Sequence, residues 1–260
     1  MNVACLFALL VGFSSLVHAG GVPHWQSPDY LMNSFIDIAL GNEHPSQKSP
    51  VRKWNGPINY FIAHRVGDDE LHSRLIRTHF EQIAEITGLS IRPAESQKTA
   101  NYTIVLSGES QLKDDLLTYF DWRSPAQREK FFREAVCLGI FATKDNVINR
   151  AVVIIPVDRA RAKAKLVACV VEELTQVLGL PNDSEKVFPS IFNDFSTDVY
   201  LSGLDYLLLK MLYDPRVKAG MDESTVRPVL RRIIDDFKRD NKLGSAEKEV
   251  MSRGLWQLER

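Results

Sequence analysis

Two adjacent glutamates, Glu172 and Glu173, stand in a stretch with the spacing of a ligand-bearing helix, Cys169-Val-Val-Glu-Glu-Leu-Thr-Gln-Val-Leu-Gly-Leu-Pro-Asn-Asp183. Glu172 and Gln176 are four residues apart, so one helical face points both at the same place. Glu173 sits between them, where a carboxylate can move a proton for a group its neighbours hold. Gly179 is suited to turn the chain, which brings Asn182 and Asp183 back toward the helix end. A second Asn-Asp pair, Asn193-Asp194, closes Pro189-Ser-Ile-Phe-Asn-Asp194. Together these side chains could line one acidic, oxygen-rich pocket for a hard cation or a cationic substrate group. An all-oxygen donor set suits Ca²⁺, Mg²⁺ or Mn²⁺ better than Zn²⁺. The plainer readings are a solvated helix face for Glu-Glu and Thr-Gln, and turn chemistry for each Asn-Asp pair.

The spacing resembles the long motif of zincin peptidases, H-E-x-x-H-x-x-G-x-x-H/D, in which histidines hold zinc and the glutamate handles the proton of the metal-bound water. Glu172 stands at the first histidine position, Glu173 at the catalytic glutamate and Gln176 at the second histidine. Gly179 keeps the turn, and Asn182 stands at the third ligand. The histidines are His18, His24, His44, His64, His72 and His79, all before this helix. Leu201-Ser202, Asp205 and Leu212-Tyr213 are similar to the helix that closes metzincin catalytic domains. The resemblance implies an α+β, metzincin-like fold, with a mixed twisted sheet, two long helices and a helical C-terminal part. It breaks at the nitrogen ligands. No metal or cofactor is therefore expected, a divalent cation is admissible, and zinc is not. Glu172 to Asp183 and Pro189 to Asp194 also resemble an uncharacterised bacterial family of exported domains of unknown function, over residues 50–220.

The elements that must position these residues follow from patterning. Tyr30 to Leu40 reads as a short amphipathic helix. Ile58 to Ala63 is a strand after the turn Asn55-Gly56-Pro57, and Asp68 to Thr87 is a long helix ended by Gly88. Strands are expected at Leu89–Arg92, Tyr102–Leu106 and Val136–Ala142, with partial helix from Leu112 to Ala135. Ala151-Val-Val-Ile-Ile-Pro156 is continuously apolar, as a strand covered on both faces must be. Asp158 can cap a helix running to Leu178, with Val167, Val170, Val171, Leu174, Val177 and Leu178 as its apolar stripe. Cys169, Glu172, Glu173 and Gln176 would then lie on the opposite side. Ser202 and Asp205 form a capping box for a helix with Leu204, Leu207, Leu208, Met211 and Leu212 inward. Arg227 to Arg239 is a further amphipathic helix, and a polar tail is expected from Asn241. The basic run Arg159, Arg161, Lys163 and Lys165 reads as a solvated face.

The 260 residues are 45% hydrophobic and 25% charged, with a formal net charge of −1, so the chain is globular and carries no electrostatic footprint for nucleic acid. Residues 4–17 are a short apolar run followed by Val17-His18-Ala19, which reads as a signal peptide over 1–19, the alternative being a buried or anchoring helix. No later segment is apolar for long enough to span a bilayer. Export, to the periplasm or beyond, leaves Cys137 and Cys169 as one disulfide in preference to a reactive thiolate. The expected organisation is an extension over 20–55, a zincin-like domain over 56–220, and a C-terminal helix and tail over 221–260. The function read from this is a non-catalytic binding or scaffold module of the cell envelope, acting on a protein or peptide partner. The alternative is a divergent hydrolase using Glu173 as base and Glu172 as an anchor for metal or substrate. A structural envelope protein contacting its neighbours through the extension is a third reading.

Overall fold

The computed structural model describes residues 23–41, 48–120 and 124–259. The expected signal peptide lies outside them. Among the described residues no helix is long and apolar enough to cross a membrane.

The fold is α+β. One five-stranded mixed sheet has the order β2-β1-β3-β5-β4, from β1 (Ile58–His64), β2 (Ile91–Pro93), β3 (Tyr102–Ser107), β4 (Leu138–Lys144) and β5 (Val147–Pro156). All pairs are parallel except β4 with β5. That hairpin turns through Asp145 and Asn146, both at positive φ, the backbone that a tight hairpin demands and that Asp and Asn tolerate. β3 is buried throughout, as is β5 from Ala151. Their side chains divide by the period of two: Tyr102, Ile104, Leu106, Val153 and Ile155 enter the main core, whereas Val105, Val152 and Ile154 enter a smaller core on the other face. Helices α3 (Leu112–Tyr119) and α4 (Pro125–Glu134) cover that second face through Leu112, Leu116 and Phe131.

The main core gathers α1 (Pro28–Leu40), α2 (Asp69–Thr87), α6 (Leu166–Gln176), α7 (Gly203–Leu212) and α8 (Glu223–Arg239). Leu31, Phe35, Ile36, Ile38 and Leu40 of α1 are fully buried there. α2 ends at Gly88 with φ 75°, and α7 has the full Ser202/Asp205 capping box.

Three expectations need correction. The helix from Asp158 to Leu178 is two helices, α5 (Val157–Ala162) and α6, parted where Ala164 takes φ 53°. Nor is the chain after Asn241 a polar tail: α9 (Lys242–Met251) is followed by a 3₁₀ turn over Gly254–Glu259. α9 buries Leu243, Ala246 and Val250, a stripe at i, i+3 and i+7 too sparse to stand out in a polar sequence. Gln82 of α2 fixes its end, donating to the Val250 carbonyl at 3.1 Å. Finally, Cys169 and Glu173 are not on an open side of α6, since both are buried.

A carboxylate cluster at the end of α6

α6 lies against β4 and β5 on one side and α2 on another. Cys169, Glu173 and Val177 recur every four residues, so they form a second inward stripe, directed at β4. Cys169 is joined to Cys137, just before β4, with the Cα atoms 5.8 Å apart. The Glu173 carboxylate accepts the backbone N–H of Gly139 on β4. A Cβ at Gly139 would come within 2.8 Å of Val177 and 2.9 Å of Glu173 Oε2, so glycine is what lets helix and strand approach this closely. Burial, reinforced by the Glu172 and Asp183 charges, pushes the Glu173 carboxyl well above the usual range, against the opposing Gly139 hydrogen bond. Glu173 is thus an enclosed group whose burial favours the protonated form.

The C-terminal carbonyls of α6 and the turn after it are satisfied by aromatic donors from separate elements, as buried helix ends require. Tyr102 donates to Leu174, Trp54 to Val177 and Tyr213 to Leu178, at 3.2, 3.1 and 2.8 Å. On the α2 side, His79 Nε2 lies 3.1 Å from the Val171 carbonyl and 3.0 Å from Thr175 Oγ1. Gly179 then turns the chain at φ 116°, and a Cβ there would meet the Arg52 carbonyl oxygen at 1.9 Å. No other residue fits without moving the Arg52 backbone.

Beyond this turn, Asp183 and Asp194 are exposed and Glu172 is half-buried, and one carboxylate oxygen of each lies within 4.8 Å of the others. Gln176 donates its amide to Asp183 Oδ1 at 2.8 Å. Glu172 titrates at about 7, raised by desolvation first and then by the Asp183 and Asp194 charges, with Lys165 opposing. Asp183 is raised to about 6 by desolvation and by Asp194, with the Gln176 bond opposing. Asp183 stands exposed, where water screens its charge. Three acids gathered this closely repel one another, and a cation placed among them relieves the repulsion.

The two Asn-Asp pairs split by role. Asn182 donates to the Ile38 carbonyl at 2.8 Å, tying the loop to α1. Asn193 donates to the Val187 carbonyl at 3.0 Å and accepts from Phe195 N–H, also at 3.0 Å. Both asparagines are therefore turn residues, while the aspartates complete the cluster. His64, His72 and His79 lie on β1 and α2, and none belongs to the cluster.

The loop that carries Asp194 is pinned elsewhere too. Tyr30 Oη donates toward the Lys186 and Phe188 carbonyls and accepts from Phe188 N–H. Buried Asp205 accepts from Ser190 Oγ at 2.6 Å and from Ile191 N–H at 3.2 Å. Phe188 and Phe195 nevertheless remain 61% and 76% exposed, the largest apolar exposures among the described residues. Sequence reasoning missed both. The available signal was phenylalanine recurring in a loop rich in Ser, Asn, Asp and Pro.

No curated protein and no solved structure matches this chain. One domain family, described as protein of unknown function (DUF2927), matches residues 28–232, and the chain belongs to that family.

Proposed function

We propose that this chain is an exported binding module of metalloprotease-like architecture, with no catalysis at the α6 helix, whose cluster at the end of α6 receives a positively charged group of a protein or peptide partner. The observation that carries this is the convergence of Glu172, Asp183 and Asp194, with the exposed Phe188 and Phe195 on the pinned loop that also bears Asp183 and Asp194. A Lys or Arg flanked by apolar side chains would meet both features: the carboxylates take the charge, and the rings take the apolar flanks. A mixed sheet over α6 and the turn at Gly179 support the zincin-like descent. The absence of histidine from α6 supports the loss of zinc chemistry. The enclosure of Glu173 against Gly139 argues against the hydrolase alternative, because a base must reach the proton it takes. The Cys137–Cys169 disulfide supports an oxidising compartment.

The test is binding of short peptides that place Arg between leucines to the mature protein, compared with the same peptides carrying citrulline. Selective binding of the charged peptide, lost in Asp183→Asn and in Phe195→Ser, is the expected result. Equal binding of both peptides would remove the carboxylates from the account. A second reading, a hard divalent cation, is favoured by the 4.8 Å limit on the cluster. Calcium–oxygen bonds of about 2.4 Å would just reach across it. Calcium displacing the charged peptide would show that both use one site. Cleavage of any peptide that disappears in Glu173→Gln would restore the hydrolase reading.

A further inference from the structure

A second constellation lies apart from α6, where the end of β1 meets the first turns of α2. His64 is the last residue of β1, and Asp69 opens α2. Ser73 and Arg77 follow Asp69 at successive steps of four, so the three share one helical face. His64 Nε2 lies 3.1 Å from Ser73 Oγ, and His64 Nδ1 faces Asp69 Oδ1 at 3.6 Å. Nδ1 is shielded from water and makes no hydrogen bond among the described residues, so the Asp69 carboxylate is the acceptor available to it. The other charged neighbours are engaged. Arg161 pairs with Asp68 at 2.7 Å and lies 3.3 Å from His72 Nε2, and the His72 ring stacks 6.4 Å from that of His64.

This face opens on a groove of about 240 Å³ lined by Tyr60, Phe61, Ile62, Ser73, Arg77, Pro93 and Ala94, so that Ser73 borders the groove and His64 reaches it through Ser73. The groove exists because β2 pairs with β1 only as far as Tyr60, which leaves the outer edge of β1 without a strand from there to His64. A nucleophilic hydroxyl, an imidazole within reach of it, and a carboxylate behind the imidazole are the three parts that acyl transfer needs, whatever the fold.

We propose that Ser73, His64 and Asp69 form an acyl-transfer site that hydrolyses small carboxylic esters held in this groove. Ser73 Oγ attacks the ester carbonyl carbon while His64 Nε2 takes the hydroxyl proton, so an O–C bond forms and the carbonyl electron pair moves onto oxygen. Arg77, one turn beyond Ser73, supplies positive charge to that oxyanion. The intermediate collapses with cleavage of the ester C–O bond, and His64 returns its proton to the departing alkoxide. Water then attacks the acyl group on Ser73, with His64 again taking and returning the proton, and the free acid leaves. Asp69 is a positioning residue that holds the imidazole tautomer and steadies the imidazolium through Nδ1. At 3.6 Å the contact is within ion-pair reach, so Asp69 acts on the ring chiefly through its charge.

The test uses the mature chain with a fluorophosphonate probe and with 4-nitrophenyl acetate. A single phosphonyl adduct on Ser73, located by peptide mass spectrometry, is expected. Ser73→Ala should abolish the adduct and lower ester turnover at least about 100-fold. Asp69→Asn alters an exposed side chain, so it should keep the native circular dichroism spectrum and lower kcat more than it raises KM. No adduct, an adduct on another serine, or unchanged turnover in a folded Ser73→Ala protein would overturn the proposal. An Asp69→Asn effect confined to KM would overturn the positioning role.

Discussion

Replacing Glu172 by Gln should stabilise the protein above neutrality and leave it unchanged in acid. Glu172 rises from 4.5 to about 7 on folding, by desolvation and then the neighbouring aspartates. A folded-state value above the unfolded one means that Glu172 favours folding fully below the unfolded pKa, and that this advantage is lost as pH rises through the folded value. In wild type the loss therefore runs from pH 4.5 to about 7. Its ceiling is about 3 kcal/mol. Glu172 is half-buried, so solvent reduces this to about 2 kcal/mol. Glutamine imitates the neutral carboxyl at every pH, so the variant escapes the loss. At pH 8 the gain should raise Tm by about 4–8 °C. Buried His79 complicates the raw curves, because burial lowers it to about 4 and so costs stability as pH falls from 6.5 toward that value. The difference between variant and wild type cancels it. Thermal melts of both proteins from pH 4 to 8, without divalent cations, are the assay. A difference that does not grow with pH, or a Glu172→Gln protein that melts lower at pH 8, would refute the argument.

Gly179→Ala places a methyl group against the Arg52 carbonyl at positive φ and should cost about 3–5 kcal/mol in chemical denaturation; a loss below 1 kcal/mol would show that the turn can relax. Joint replacement of Cys137 and Cys169 by Ser opens a loop spanning 32 residues and should cost about 3–4 kcal/mol in loop entropy; unchanged denaturation midpoints would mean the link adds nothing. His79→Gln should flatten the fall in stability between pH 6.5 and about 4 that burial of the imidazole produces. A variant with the same acid-side slope as wild type would place that titration elsewhere.

What was legible in the sequence had a local physical signature. The capping box at Ser202 and Asp205, the glycine stop at Gly88 and the unbroken apolar run of β5 from Ala151 each follow from a few neighbouring residues. Helical spacing and the Gly179 turn place Glu172 and Asp183 at one end of α6, and Asp194 arrives there on the separate loop after Pro189. The burial of Glu173 was not. It depends on β4 approaching through Gly139, and a helix covered on two sides looks one-sided when only its apolar stripe is counted. The break at Ala164 was hidden for another reason: Arg-Ala-Lys-Ala-Lys suits a helix, and only packing of α6 beneath the sheet requires the left-handed residue. The division of labour within Asn182-Asp183 and Asn193-Asp194 depended on which carbonyls, Ile38 and Val187, the fold brings within reach.

The cluster at the end of α6 is tested most directly by an NMR titration of the mature protein with acetyl-Leu-Arg-Leu-amide, following amide and side-chain carboxyl signals. The account predicts saturable shifts confined to Glu172, Asp183, Asp194 and the loop bearing Phe188 and Phe195, with the Glu172 carboxyl losing its proton as peptide binds near pH 7. Shifts centred elsewhere, or a Glu172 protonation state indifferent to the bound peptide, would contradict it.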